Sequence, residues 1–596
     1  MARATALYEG EASVSGFEKE LFDDISETEP WALVERFSDL ERVSGTEDER
    51  EAAAYLEARL EAHDIAYTTY EPELWLSTPH GAALSAAAPV EETFESAKTV
   101  SVAGAGTVEA EVEFLEGPSI NTMEEMLSAS IEEIDRDVEG QIVLLETMSL
   151  GIETIQTVQE AGAAALLGIH PHETEPHEGI ATPVWGGIPD EGERERLPEI
   201  PIVNVSRTDG DRLLELATAE QPLEVELTAD VTRGWAACPL VLAQISGEAD
   251  PDNDDFVLAH GHYDSWYVGI TDNATGDAAL LELARVFNDH RDRLERDLWV
   301  AWWPGHSTGR YAGSTWFADE FAQELLERCV AQVNIDSPGA ADATEFADMT
   351  MWMPEADPLC RAAIDDVAGK DTSENRPPRA GDYSFNNLGL SGLFMLSSNI
   401  PADVREERGY HPVGGSGGNS NAWHLTTDTI DKADPEVLVR DTRVHAVAIA
   451  RLLTDDVLPL DHRRTVARHQ EIVAGYDETA GEHFDLSPVR TELERLADGV
   501  DALYEAIDDG TIESETANEA IKSLSRALVH VNYASEGRFE QDPAIDRPPY
   551  PALEPVTALS DLEGDAYRFR QTHLKRAMNA VVADLRAARD AVPVNP

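Results

Sequence analysis

Apolar positions divide the chain into four stretches of different period. Between residues 30 and 76, WALVERFSDLERVSGTEDEREAAAYLEARLEAHDIAYTTYEPELWL spaces its apolar side chains helically and then alternates, which predicts helix, helix and strand. From 77 to 234 the pattern shortens. QIVLLE at 141–146 and IPIVNVS at 200–206 read as strands, EAGAAALLGI as a helix, and a further helix starts with Thr208 as its cap. From 235 to 460, FVLAHGHYD, RDLWVAWWP, AQVNIDS and GLFMLSS are apolar runs, each followed by a helix or loop. Beyond them, Val489, Leu493, Leu496, Val500, Leu503 and Ile507 recur at fours and threes, as do Leu574, Met578, Val581 and Leu585. The Pro-rich DPAIDRPPYPALEP, from Asp542 to Pro555, reads as an extended connector.

Together these periods predict an α/β fold with a mostly parallel central sheet covered by helices on both faces. Residues 1–76 and 235–465 would form that unit, residues 77–234 an inserted α/β module, and residues 466–596 a C-terminal helical bundle. A chain of 596 residues exceeds one hydrophobic core and supports several domains.

Charge narrows the setting. There are 116 acidic against 44 basic residues, a formal charge of -72, and the only lysines are Lys19, Lys98, Lys370, Lys432, Lys522 and Lys575. The acids are spread along the whole chain, as suits a solvated coat in concentrated salt, where screening shortens self-repulsion and stability should rise with ionic strength. Nucleic acid and anionic membranes are poor partners for such a surface. Cys238, Cys329 and Cys360 lack paired spacing, which argues against a disulfide framework or thiolate metal site. MARATALYEGEASVS has no apolar leader, and no run of about 18 apolar residues occurs. The cytoplasm is the expected location.

Candidate chemistry lies past the strand ends, where open α/β sheets build their sites. FVLAHGHYDSWYVGITDNATG places His262, Asp264 and Asp272 there, AQVNIDSPGA ends on Asp336, and NAWHLTTDTIDKAD carries His424 after a glycine-rich loop. Imidazole and carboxylate are ligands zinc favours, a carboxylate can bridge two ions, and a nearby acid can orient an imidazole. His262 would ligate, Asp264 orient it, and Asp272 bridge. His170, His172 and His177 in IHPHETEPH read instead as a hydrated loop, and Asp428 as a helix cap or an anchor of the histidine loop.

HYDSWYVGITDNATGDAA, NIDSPG, AGDYSFNNLGLSG and WHLTTDTID resemble, in order and spacing, the site motifs of the zinc peptidase family that includes glutamate carboxypeptidase, the transferrin receptor and related aminopeptidases. The resemblance covers nearly the whole chain. It implies that residues 77–234 are a protease-associated (PA) apical insertion, and that LSRALVHVNYASEGRFEQDPAIDRPPYPAL belongs to a helical dimerisation domain. It implies two zinc ions, one held by His262 and Asp336, the other by His424 and a glutamate, with Asp272 between them. A homodimer is expected on the same grounds and on the stripe through Val489, Leu496 and Leu503.

One motif departs from the family. Where its members carry two adjacent glutamates, a general base and a metal ligand, DLWVAWWPGHSTGRYAGS puts His306 at the base position and Ser307 at the ligand position. His306 can act as base, or ligate if the loop shifts by one residue. The expected function is therefore a zinc peptidase or amidohydrolase of aminopeptidase or carboxypeptidase type, acting on a peptide or small amide substrate, with one zinc as the lower limit. The alternative is a catalytically inactive, receptor-like dimeric scaffold that keeps the fold.

Overall fold

The computed structural model describes residues 13–14, 16–117, 131, 134–146, 151–188, 191–251, 253–347, 350–372, 375–394, 397–410 and 421–593. A six-stranded sheet holds the centre. Its strands, labelled in chain order, are β1 (Tyr67–Tyr70), β2 (Leu240–Ile245), β3 (Phe256–His262), β4 (Asp297–Trp303), β5 (Cys329–Asn334) and β6 (Gly392–Leu393). They lie side by side as β1, β2, β4, β3, β5, β6, with β4, β3, β5 and β6 mutually parallel and the first two antiparallel at one edge.

Both faces of this sheet are covered, which explains why β3 and β5 are buried throughout rather than alternating. Val257 and Ala259 face a core shared with the helices Thr275–Asp289 and Pro435–Thr454, while Phe256 and Leu258 meet Trp299, Trp303, Phe317 and Phe385 on the other side. The mostly parallel, doubly covered sheet expected from the apolar runs is present. Its parallel strands all end on the same side, and the candidate residues follow those ends.

A second sheet of eight strands uses residues 73–237. Its two longest strands, Glu73–Ala88 and Glu224–Ala237, run antiparallel along their length. Here two expectations fail. The helix ends at Glu160, and Ala165–Ile169 is a fully buried strand parallel to Ile142–Leu145 and Ile202–Val205. A short apolar run fits either element by period; Gly162, with φ +85°, breaks the helix before it starts. The following helix is capped by Ser206, whose side chain accepts from Asp209 N, whereas the Thr208 hydroxyl donates to the Glu173 carbonyl at 2.7 Å.

Four long helices, His462–Ala480, Ser487–Asp508, Ser514–Tyr533 and Gly564–Ala591, make up the C-terminal part. Val489, Leu493, Leu496, Val500 and Leu503 are buried there against Leu524, Leu528, Met578, Val581 and Leu585. The stripe expected at a dimer interface is thus consumed inside the chain, and the argument for a homodimer drawn from it does not hold. The Pro-rich stretch is no free connector either. Asp542 accepts from Ser535 N at 2.9 Å and Asn387 Nδ2 at 3.1 Å, and Ala544 N donates to the Pro183 carbonyl at 3.0 Å. Among the described residues, no helix is long and apolar enough to cross a membrane.

Candidate metal centre

β3 delivers His262 to the end of the sheet, and the chain then turns through Tyr263–Gly269. Arg42, fully buried, holds that turn by donating to the carbonyls of Tyr263 at 2.8 Å, Val268 at 2.7 Å and Gly269 at 3.0 Å. Asp272 follows in a short irregular turn before the helix Thr275–Asp289. Asp428 fixes that turn, accepting from Thr271 N at 3.0 Å, Thr271 Oγ1 at 2.9 Å and Asp272 N at 3.2 Å. Burial pushes the Asp428 carboxyl up to about 7, against these donors. Asn273 ties two strand ends together: Nδ2 donates to the carbonyls of His262 at 3.2 Å and Ile335 at 3.0 Å, and Oδ1 accepts from Ser337 N at 2.9 Å.

Four of the expected ligand side chains converge. His262 Nε2 lies 3.0 Å from Asp272 Oδ1 and 3.9 Å from Asp336 Oδ2, and His424 Nε2 lies 3.0 Å from Asp272 Oδ2. Ligand atoms of His262, Asp272 and Asp336 all fall within 4.8 Å of one another. Each histidine uses its other nitrogen on the backbone: His262 Nδ1 donates to the Asp264 carbonyl and His424 Nδ1 to the Glu178 carbonyl, both at 2.9 Å. In the neutral ring that leaves Nε2 as a lone pair.

The donor set fits a cation. Two imidazole lone pairs facing the two oxygens of one carboxylate at 3.0 Å repel unless positive charge lies between them. His262 Nε2 is buried and has no partner of hydrogen-bond geometry, despite its distance to Asp272. Burial disfavours a charged His262, but the carboxylates of Asp272, Asp336 and Asp264 outweigh it and raise its pKa well above the usual imidazole value. Carboxylates that favour positive charge here would favour a bound cation as well, and imidazoles with shared carboxylates are donors that suit zinc.

Asp264 departs from its expected role. Its carboxylate is 3.9 Å from His262 Nδ1, and it is the backbone carbonyl that orients the ring. The carboxylate instead accepts from His306 N at 3.0 Å and Ser307 N at 2.9 Å, so it pins the loop that departs from the family pattern. Gly305 N donates to Ser44 Oγ at 2.8 Å from below.

His306 stands beside the cluster of His262, Asp272 and Asp336. Its ring stacks on that of His262 with centroids 3.6 Å apart and planes 17° from parallel, and Tyr311 meets it edge-on at 4.7 Å. Nδ1 lies 2.7 Å from Asp382 Oδ2, and Ser314 Oγ donates to Asp382 Oδ1 at 2.6 Å. Burial raises the Asp382 carboxyl, yet the His306 imidazole overrides it and holds the pKa below the usual carboxylate value. Asp382 lies in the motif AGDYSFNNLGLSG, and an acid in a site motif without a ligand role is the signal that marks it in the sequence. Arg42, Asn273 and Glu178 carried no such signal, since two of them act through backbone carbonyls and the third lies far off in sequence.

Two of the three insertion histidines are not hydrated, whereas His172 is half-buried. His170 and His177 are buried, their rings 4.6 Å apart, and His177 meets Trp423 edge-on at 5.1 Å. They pack behind the His424 loop.

The sequence model of peptidase family M28 matches residues 241–449. Aminopeptidase NAALADL1 of Mus musculus is 37% identical over 114 residues, 18% of this chain and 15% of that protein. Probable glutamate carboxypeptidase VP8 of Zea mays is 24% identical over 500 residues, 72% of this chain and 67% of that protein. Transferrin receptor protein 1 of Gallus gallus is 23% identical over 434 residues, 64% of this chain and 53% of that one. The chain therefore spans from about a seventh to two thirds of the length of these relatives. Among solved structures, an aminopeptidase from Aneurinibacillus sp. strain AM-1 shares the fold at a TM-score of 0.54 with 19% identity, covering 73% of this chain and 96% of that one. Residues 241–449, which carry every ligand candidate, are thus the part of the chain that is similar to peptidase family M28.

Proposed function

We propose that the chain is a metal-dependent peptidase or amidohydrolase in which His262, Asp272, Asp336 and His424 hold two zinc ions, Asp272 between them, and His306 moves protons in place of the absent glutamate. The supporting observation is the pair of Nε2 atoms, one from each histidine, facing the two oxygens of Asp272 at 3.0 Å. Bound there, zinc supplies a Lewis acid that polarises a carbonyl and makes water acidic.

The remaining work falls to side chains. His306 donates through Nδ1 to Asp382, so Nε2 is its acceptor nitrogen, and a ring held in one tautomer and one orientation can take a proton from water and return it to a leaving amine. Stacking on His262 places this ring next to the ligand cluster without using it as a ligand. Asp264 holds the His306 and Ser307 amides, and thereby the distance between ring and cluster. Relatives named as aminopeptidase and glutamate carboxypeptidase support peptides as the substrate class. They do not favour the inactive scaffold.

Metal analysis tests this reading. Protein purified without chelator in concentrated salt should contain about two zinc ions per chain, and removing them should abolish hydrolysis of a mixed panel of peptides and aminoacyl amides until zinc is restored. Protein that neither carries nor takes up zinc would overturn the proposal.

A further inference from the structure

Among the described residues, the candidate ligand His424 is held from outside its own loop. Its backbone sits in the left-handed region at φ +58°, a state that non-glycine residues leave easily unless neighbours fix it. The neighbour is Glu178, from the other sheet's segment. Glu178 O accepts from His424 Nδ1 at 2.9 Å, and Glu178 N donates back to the His424 carbonyl at 3.1 Å. Glu178 is itself held from two sides. The Tyr267 hydroxyl donates to Glu178 Oε1, and Lys98 Nζ lies 3.3 Å from the same oxygen.

Lys98 joins these parts. Its ammonium pairs with Glu175 at 2.6 Å and stands 4.7 Å over the Tyr267 ring. Glu175 Oε2 accepts from Thr426 Oγ1 at 2.8 Å, two residues beyond His424. The side chains of Lys98, Glu175 and Glu178 are only 18%, 16% and 10% exposed, so the charges are poorly screened. One of the six lysines in this acidic chain thus neutralises two carboxylates that flank a candidate zinc ligand.

We propose that Lys98, Glu175 and Glu178 form a positioning clamp for His424, so that the ion His424 holds is retained only while residues 77–234 are docked on its loop. The proposal rests on the zinc reading above. Without the ammonium, Glu175 and Glu178 repel each other and release both the Thr426 end of the loop and the Glu178 carbonyl that orients the ring.

Zinc retention during dialysis against graded chelator, followed by elemental analysis, tests the clamp in the full-length protein. His424→Ala marks the loss of one ion. Lys98→Met should weaken retention of that same ion by roughly 10- to 100-fold while the other ion is held as in the wild type. Lys98→Arg should restore it. A merely structural role would lower the melting temperature of zinc-free protein without selecting one ion. If circular dichroism shows Lys98→Met unfolded, Thr426→Val, which cuts the same clamp at its edge, is judged by the same criterion. Wild-type retention of both ions in the folded variant overturns the clamp. A wild type that binds no zinc overturns the zinc reading instead, so the two failures are distinct.

Discussion

The two sides of the site are built differently. On one side, His262, Asp272 and Asp336 stand at or just past the ends of buried parallel strands, and the turn between them is tied by Arg42, Asn273 and Asp428 to backbone on several elements. On the other side, His306 stands on the loop after β4, and that loop hangs from three acceptors: the Asp264 carboxylate, Ser44 Oγ and the Asp382 carboxylate. The first side has little freedom to change, because each ligand is bonded into the core. The second can exchange its chemistry without disturbing the strands, and there His306 and Ser307 stand at the positions where the resemblance implies glutamates. On the proposed function, ligand geometry and proton handling would thus be separable.

Breaking the first side has the largest expected effect. Asp272→Asn removes the charge that lies between both imidazoles, so zinc content should fall to near none and hydrolysis with it, while Asp264→Asn should leave zinc in place. Unchanged zinc in Asp272→Asn would refute its bridging role.

Breaking the second side should leave the first intact. His306→Ala is expected to lower kcat by roughly 10²- to 10⁴-fold with zinc content unchanged. Asp382→Asn should lower it in the same direction, because Nδ1 loses its charged partner. If His306→Ala instead releases one ion, His306 is a ligand and the separation of the two sides fails. If neither zinc nor turnover changes, the loop has no part in catalysis. Replacing His306 and Ser307 together by glutamates sharpens the point: greater peptidase activity in that variant would show that the strand side accepts the family's usual loop.

The same contrast governs what could be read from sequence. The parallel strands were legible because burial on both faces leaves long apolar runs, and His262, Asp272 and Asp336 because polar ligand types past strand ends stand out against such runs, whereas His424, on a loop, was legible through the motif resemblance. The helix misplaced over Ala165–Ile169 shows the limit of that signal, since five buried residues have no period. Roles that pass through the backbone left no trace. Asp264 was expected to orient His262 with its carboxylate; the carbonyl does so, and no residue type advertises a carbonyl. Glu178 reaches His424 in the same way across 246 positions of sequence. The C-terminal stripe was legible as a stripe, but its partner was not, because an apolar helix face looks alike whether it is covered by the same chain or by another.

Beneath the loop side lies the smallest and most local of the expected effects. Glu49 is fully buried, accepts from Gly45 N at 2.8 Å, and neighbours Ser44, whose hydroxyl carries Gly305 N. Burial, with the Asp264 carboxylate adding to it, pushes the Glu49 carboxyl from 4.5 to about 8. The folded protein therefore keeps a proton here that the unfolded chain releases near pH 4.5. Stability from this group is lost as pH rises between those two values and is flat above the higher one. Between pH 5.5 and 9 the loss amounts to roughly 3 kcal/mol. Glu49→Gln keeps the shape and the acceptor for Gly45 N but cannot ionise, so its unfolding midpoint should decline less than that of the wild type over this range. The gap between the two proteins should be smallest at pH 5.5 and widen with pH, the variant gaining on the wild type up to pH 9. Parallel declines would mean that Glu49 is already ionised in the folded state, and that the loop side rests on a charge rather than on a neutral acid.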